Sequence, residues 1–183
     1  MEEKTDVVLY NSFLKGDNEA FDEIINRYRK NLILFINKYV HDLEISEDLV
    51  QDTFVYVLVN RKEYDFKYSL KTYLYTIAKC RASNYIRNQK RIVKFDEAYI
   101  KNEEEPEQVE DNLLRKEKNL KVQEALKKLK LEYQSVIFLK DIEEFSYKEI
   151  CKILDKNMSQ VKVLIHRARK SLAKILRKEG FEC

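Results

Sequence analysis

The side chains in this sequence that are best suited to chemistry are cations that stand beside aromatic and small polar residues. They occur in two stretches, residues 61–91 and residues 157–170, while a third stretch, residues 48–55, places carboxylates and an amide among valines. Cations bind phosphates, and aromatic rings stack on unpaired bases. The first two stretches therefore indicate nucleic-acid binding, and the third indicates contact with a protein.

Catalytic and metal-binding patterns are scarce. With 2 glycines in the chain, there is no phosphate-cradling loop and no dinucleotide fingerprint. His41 and His166 are far apart in the sequence, and neither belongs to a nucleophile–base arrangement. Cys80, Cys151 and Cys183 lack the spacing of a zinc site or a disulfide framework. We therefore expect no enzymatic activity, no metal or other cofactor, and no small-molecule substrate.

The net charge of +3 conceals an alternation along the chain. Residues 61–95 hold ten Lys and Arg against two acids, residues 96–111 hold one Lys against eight acids, and residues 156–178 hold eight Lys and Arg with no acid. Two basic blocks separated by an acidic one indicate two contacts with a polyanion. No apolar run approaches the ~20 residues that span a bilayer, and the first residues lack the order of a signal peptide. We therefore expect a cytoplasmic location.

Helices are the elements that must position these groups, because 2 glycines and 1 proline leave few turns. Periodicity predicts a long helix that begins at Gly16-Asp17. It also predicts a second helix with Ser46 as its N-cap and a third helix over about residues 69–91. The segment between the second and third helices, residues 60–69, is predicted to be a loop.

The predicted fold class is all-α, with two small helical domains. Residues 1–95 form the first domain and residues 113–183 the second. The acidic segment between them, residues 96–112, holds the only proline and has no periodicity, which predicts a flexible linker.

On a helical wheel the second helix has two faces that both look suited to burial. The half that is expected to face the core carries Leu49, Val50, Phe54, Val57 and Leu58. The opposite half carries Asp48, Gln51, Asp52, Val55 and Val59. Such a mixed face suits a protein partner with basic groups around an apolar patch. The alternative is that Asp48 only serves the helix start and the valines pack against a neighbour.

The third helix and the preceding loop combine cations with tyrosines, which suits melted strands better than plain duplex. The candidate nucleic-acid contacts are Arg61, Lys62, Tyr64, Lys71, Tyr75, Lys79, Arg87, Asn88 and Arg91. The alternative is that the tyrosines belong to the core and the cations form a solvated face.

The stretch 145–178 predicts a helix-turn-helix. Ser146 caps a short helix, residues 155–157 form the turn, and Asn157 with Gln160 forms a capping box at the second helix. The stripe that faces inward is Val161, Ile165, Ala168, Leu172 and Leu176. The residues that face away, as candidates for duplex contact, are Ser159, Gln160, Val163, His166, Arg167, Lys170 and Lys174. A helical hairpin that binds proteins is the alternative.

Three ordered stretches resemble the extracytoplasmic-function sigma factors, the small two-domain specificity subunits of bacterial RNA polymerase. "SEDLVQDTF" resembles the family's A-E-D-L-V-Q-E-x-F. "YLYTIAKCRASNYIRNQKR" resembles W-L-x-x-I-A-x-N-x-x-x-D-x-x-R. "YKEICKIL" and "QVKVLIHRARKSL" resemble the family's x-x-E-I-A-x-x-L and T-V-K-S-R-L-x-R-A-R.

The resemblance implies a factor that binds core RNA polymerase and directs promoter-specific initiation. It implies a first domain like sigma region 2 and a second domain like the helix-turn-helix of region 4. The implied partners are the clamp helices of the largest polymerase subunit, the polymerase flap, promoter DNA and an anti-sigma protein, often a membrane-bound one. The acidic linker is expected to pass through polymerase channels otherwise used by nucleic acid.

The resemblance also gives each group of candidate residues a role. The residues implied to dock on polymerase are Asp48, Gln51, Asp52 and Val55. The first domain's loop and basic helix are implied to melt and hold the minus-ten element, and Asn84 joins their residues because it stands where the family usually has Asp. The last helix is implied to read the minus-thirty-five element, with Asn157 and Lys162 added to its outward residues. Val163 and Leu164 replace the usual Ser-Arg, which predicts apolar contact with thymine methyl groups there.

Two other functions fit the residues without the resemblance. One is a stand-alone helix-turn-helix regulator whose first domain dimerises or senses a signal. The other is a helical adaptor that binds only proteins.

Overall fold

The structure, a computed structural model, describes residues 4–93 and 122–178. Contacts divide the chain into two compact units, built mainly from the helices before and after the gap. Every regular element in these two ranges is helical, and none of the helices there is long and apolar enough to cross a membrane. The predicted linker, residues 96–112, and the predicted start of the second domain lie outside the described residues.

The N-terminal unit contains four helices: α1 (Asp6–Leu14), α2 (Asn18–Val40), α3 (Leu43–Val59) and α4 (Leu70–Val93). Helix α2 packs against the other three, and α3 also packs against α4. The predicted start of the long helix is confirmed, since Gly16 has a φ of 102° and the Asp17 carboxylate accepts a hydrogen bond from the amide of Ala20 at 3.2 Å. The third helix also lies close to its predicted bounds.

Helix α1 is an element that the sequence analysis missed. Leu9, Tyr10 and Phe13 lie on one side of this helix and are fully buried. A helix of 9 residues gives only a short periodic signal, so the residue pattern did not predict it. Helix α1 therefore completes the hydrophobic core from a segment for which no helix was predicted.

Helix α3 begins four residues earlier than predicted, so the assignment of Ser46 as its N-cap is wrong. The chain leaves α2 through His41, whose φ of 54° is left-handed, and Asp42 then lies in an extended conformation. The Asp42 carboxylate accepts a hydrogen bond from the amide of Ile45 at 2.9 Å, which makes it the true N-cap. Ser46 is buried inside the helix, and its hydroxyl donates to the carbonyl of Asp42 at 2.5 Å.

The C-terminal unit begins with a helical stretch over residues 122–127, α5, whose start lies outside the described residues. It continues with α6 (Leu131–Ile137), a π-helical turn (Phe138–Ile142), α7 (Tyr147–Leu154) and α8 (Met158–Lys178). Helix α8 packs on α6, and Val161, Ile165 and Ala168 of α8 are buried. These three residues begin the stripe that was predicted to face inward.

Local hydrogen bonds confirm the predicted helix-turn-helix. The amide of Ser146 donates to the carboxylate of Glu149 at 2.9 Å, and the hydroxyl of Ser146 accepts from the amide of Glu149 at 3.3 Å. Asp155 ends α7 in the left-handed conformation, with a φ of 52°. The predicted box at the start of α8 is also present, with two hydrogen bonds of 2.9 Å between Asn157 and Gln160.

Candidate protein and nucleic-acid interfaces

The outer face of α3 carries the residues that were predicted to bind a protein partner. Asp48, Gln51 and Asp52 are exposed, and no hydrogen bond or ion pair joins their side chains to another described residue. Val55 and Val59 are 56% and 74% exposed. On the opposite side Leu49, Val50, Phe54 and Val57 are buried and fix the orientation of the helix. The mixed face is thus held outward by the core beneath it.

Leu58 was predicted to lie in the core, and that prediction is wrong because the side chain is 44% exposed. The buried line of α3 ends at Val57, and Leu58 lies 100° further round the helix, beyond the edge that the neighbouring helices cover. Leu58 therefore joins Val55 and Val59 in an exposed apolar patch beside the two carboxylates. An apolar centre with a charged rim is the usual anatomy of a protein interface.

Two of the tyrosines that were predicted to offer stacking surfaces are buried instead. Tyr75 is fully buried, with its ring centroid 5.1 Å from that of Phe35 on α2. Tyr64 is 6% exposed, and its hydroxyl donates to the carbonyl of Tyr68 at 2.7 Å. Burial raises the pKa of Tyr64 to about 12. Both predictions of exposed rings are wrong, because α1 and α2 cover the side of the loop and of α4 on which these rings lie.

Phe66 is the ring that the loop exposes. It is 41% exposed and has a φ of 57°. For a bulky side chain the left-handed region costs roughly 1 to 2 kcal/mol, and such strain is concentrated at functional sites. Phe66 was not among the contacts predicted from the sequence. The alternation of rings at positions 64, 66 and 68 was the available signal that neighbouring rings point in different directions.

The polar residues of α4 form one continuous surface. Asn84, Arg87, Asn88 and Arg91 are all exposed and are spaced so that they share one face of the helix. The guanidinium of Arg87 donates to the amide oxygen of Asn84 at 3.1 Å, which aligns these two side chains along the face. Lys79, nearer the loop, is half-buried. This surface can track a phosphate backbone.

The loop that leads into α4 supplies two further cations from the predicted set. Lys62 is exposed, whereas Arg61 is half-buried and its guanidinium lies 5.9 Å from the centre of the Phe13 ring. Arg61 is therefore held against α1, and Lys62 is the more accessible of the two.

All nine residues predicted for duplex contact by α8 are exposed. They are Asn157, Ser159, Gln160, Lys162, Val163, His166, Arg167, Lys170 and Lys174. The side-chain oxygen of Gln160 already accepts the amide of Asn157, so its amide nitrogen is the group left to meet a base edge. Val163 is 45% exposed at the same end of the helix, which gives this face an apolar contact among polar ones.

Other cations of the C-terminal basic block have structural partners. Arg169 donates to Asp141 at 3.2 Å from its Nε, and this hydrogen bond raises the pKa of the guanidinium. Lys156 lies 3.2 Å from the carboxylate of Glu132. Some cations of this block therefore bind acidic residues of the same unit, whereas Arg167 and Lys170 lie on the outward face. Within the described ranges no cluster of His, Cys, Asp and Glu could hold a metal ion.

Comparison with known proteins gives the family. The family models described as Sigma-70 region 2 and Sigma-70 region 4 match residues 24–92 and 119–172. RNA polymerase sigma factor YlaC of Bacillus subtilis is 34% identical over 172 residues, which cover 90% of this chain and 96% of that protein. The ECF RNA polymerase sigma factor SigW of the same organism is 30% identical and covers 89% and 92% of the two chains.

A solved structure agrees at the level of the fold. The sigma factor RpoE of Bartonella quintana, in complex with the anti-sigma factor NepR, superposes with a TM-score of 0.71 at 23% identity and covers 86% of this chain and 96% of that one. The two family models fall on the two helical units, and the full-length relatives span both. This chain therefore belongs to the extracytoplasmic-function sigma factors, and it directs promoter-specific transcription initiation as a subunit of RNA polymerase.

Proposed function

We propose that three separate surfaces of this sigma factor carry its interactions during initiation. The outer face of α3 docks on core polymerase, the loop 60–69 with α4 engages the minus-ten element, and α8 engages the minus-thirty-five element. The domain bounds proposed with these roles are residues 1–95 and 113–183, joined by the acidic segment 96–112. The protein itself catalyses no reaction and acts in the cytoplasm.

The observation that carries this proposal is the free acidic and apolar face of α3. Asp48, Gln51 and Asp52 have no partner among the described residues, and they border an exposed patch of Val55, Leu58 and Val59. Three large aliphatic side chains in water are unfavourable unless a partner covers them. We assign this face to the clamp helices of the largest polymerase subunit, and the C-terminal unit to the flap.

For the minus-ten element we replace the two buried tyrosines by Phe66. An exposed ring at a strained backbone position, in the same loop as the exposed Lys62, suits stacking on an unpaired base. Arg87, Asn88 and Arg91 then follow the phosphates of the melted strand along α4. Tyr64 and Tyr75 support this surface from below, because both are part of the hydrophobic core.

For the minus-thirty-five element the proposal rests on the exposed start of α8. Gln160 offers an amide donor, Val163 offers an apolar side chain that fits a thymine methyl group, and Arg167 lies two turns along, where phosphates pass. The valine replaces the serine that is usual in the family, so we expect an upstream sequence different from the family's common one.

An anti-sigma protein is the proposed regulator, because the related RpoE was solved with such a partner. The exposed patch on α3 is a surface that a regulator could cover in competition with polymerase. The acidic segment 96–112 is proposed to follow a nucleic-acid channel of polymerase, since its charge resembles that of the strand it replaces.

The proposal is tested by reconstitution. Purified protein is combined with core polymerase, and run-off transcription is measured on a library of randomised upstream regions. We expect transcripts only when both components are present, from templates that share two elements. Tight, specific binding of the protein alone to promoter duplex, with no stimulation of core polymerase, would favour a stand-alone regulator instead.

A further inference from the structure

Helix α1 lies before the segment that matches the family model and outside the three surfaces proposed to bind polymerase and promoter. Its residue Tyr10 is fully buried, yet its hydroxyl donates a hydrogen bond of 2.9 Å to the backbone carbonyl of Arg61. These residues are 51 positions apart. The bond therefore joins the N-terminal helix to the first part of the loop between α3 and α4.

Aromatic contacts extend this connection along the loop. The Tyr10 ring meets Tyr64 edge to face at 4.8 Å and Phe66 at 5.9 Å between centroids. Tyr64 in turn lies 4.5 Å from Phe66. The exposed ring of the loop thus rests on a buried pair of tyrosines, and one of the pair belongs to α1. These contacts favour the left-handed conformation that Phe66 adopts, because its ring loses them in any other orientation.

Arg61 is held by α1 at both ends of the residue. Tyr10 binds its carbonyl oxygen, and the ring of Phe13 lies 5.9 Å from its guanidinium, within the range of a cation–π contact. Helix α1 thereby sets both the path of the backbone and the position of the first cation of the loop.

Helix α1 can act as a brace because α2 fixes its other side. The carboxylate of Asp6 accepts a hydrogen bond from Arg27 at 2.7 Å and another from the hydroxyl of Tyr28. Arg27 also donates to the carbonyl of Lys4 at 3.0 Å. Loss of the bond between Tyr10 and Arg61 would therefore release the loop while α1 itself stays in place.

We propose that Tyr10 is a positioning residue for promoter opening, through which α1 holds the loop 60–69 in the conformation that captures an unpaired base. This inference rests on the proposed contact of the loop with the minus-ten element. Tyr10 itself touches no DNA. It shifts the equilibrium of the loop toward the competent conformation, so its loss lowers the fraction of promoter that is melted and captured.

The test is Tyr10→Phe in the reconstituted holoenzyme, on a promoter that the wild-type holoenzyme selects from a randomised library. The variant keeps the buried ring and removes only the hydroxyl. We expect permanganate reactivity of thymines in the melted region to fall by roughly three- to tenfold, the ratio that corresponds to one hydrogen bond. Affinity for core polymerase should be unchanged. A template whose minus-ten region is already unpaired should restore most of the transcription. In that template the loop captures a base without competition from base pairing.

Tyr28→Phe is the matched control. It removes one hydroxyl bond from an equally aromatic site in the same unit. Arg27 still binds the Asp6 carboxylate in this variant, so α1 stays anchored to α2, and the lost bond does not reach the loop. We expect it to lower thermal stability about as much as Tyr10→Phe does and to leave opening near the wild-type level. Equal loss of opening in the two variants would overturn the proposal, because a general loss of stability would then explain both. Normal opening by Tyr10→Phe would also overturn it.

Lys62→Ala combined with Lys67→Ala separates this inference from the function on which it rests. Both side chains are exposed on the loop. If this pair impairs opening and Tyr10→Phe does not, the loop contacts DNA but α1 does not position it. If neither variant impairs opening, the assignment of the loop to the minus-ten element fails as well, and the inference fails with it.

Discussion

Reversal of the two exposed carboxylates on α3 tests the polymerase-docking surface most directly. In Asp48→Lys with Asp52→Lys, no intramolecular hydrogen bond or ion pair among the described residues is lost. The two positions are four apart on the helix, so the repulsion between two aspartates is replaced by a similar repulsion between two lysines. The free energy of unfolding should therefore change by less than about 0.5 kcal/mol, which is usual for surface substitutions.

The effect on docking should be much larger. A close charge pair across an interface contributes at least about 1.5 kcal/mol, and a like charge in its place adds repulsion of similar size. If only one of the two aspartates meets a cation, reversal costs about 3 kcal/mol; if both do, it costs about 6 kcal/mol. The affinity for core polymerase should then fall by at least about a hundredfold.

The assay is titration of fluorescently labelled sigma factor with core polymerase at two salt concentrations. Wild-type affinity should weaken as salt screens the attractive pairs, whereas the residual binding of the variant should strengthen with salt, because salt screens the new repulsion. Asp22→Lys with Glu124→Lys is the matched control, because both residues are exposed and the change in net charge is the same. Wild-type affinity in the α3 variant, or an equal loss in the control, would refute the assignment of this face.

Three further substitutions test other parts of the structure. Arg167→Ala should weaken binding of holoenzyme to promoter DNA and make the plot of log affinity against log salt shallower by about 1, and an unchanged slope would place this residue away from phosphates. Ser146→Ala removes the capping box with Glu149 and should lower the free energy of unfolding of the C-terminal unit by about 1 kcal/mol, measured by urea denaturation; an unchanged midpoint would contradict the role of the cap. The pKa of Tyr64 is raised from 10.0 to about 12, so the stability it contributes is complete below pH 10 and is lost as the pH rises toward 12. Tyr64→Phe should therefore make the alkaline loss of helix content less steep, as measured by circular dichroism, and an identical pH profile would contradict the burial of this hydroxyl.

The sequence by itself determined the features that depend on neighbours within a few residues. The helix-turn-helix is the clearest case: the boxes of Ser146 with Glu149 and Asn157 with Gln160, and the left-handed Asp155, are all local. Such interactions depend on residue type and spacing alone, so they can be predicted from the sequence. The outward direction of Asp48 on α3 follows from helical periodicity in the same way.

Only the tertiary structure decided which aromatic side chains of the first domain are covered. Tyr64 and Tyr75 have the composition of a stacking surface, but they are buried by α1 and α2, elements far away in the sequence. The start of α3 was also decided by context, because the left-handed His41 ends α2 and makes Asp42 rather than Ser46 the cap. Burial depends on what packs against a side chain, and a bond such as that between Tyr10 and Arg61 joins positions whose proximity exists only after the chain has folded.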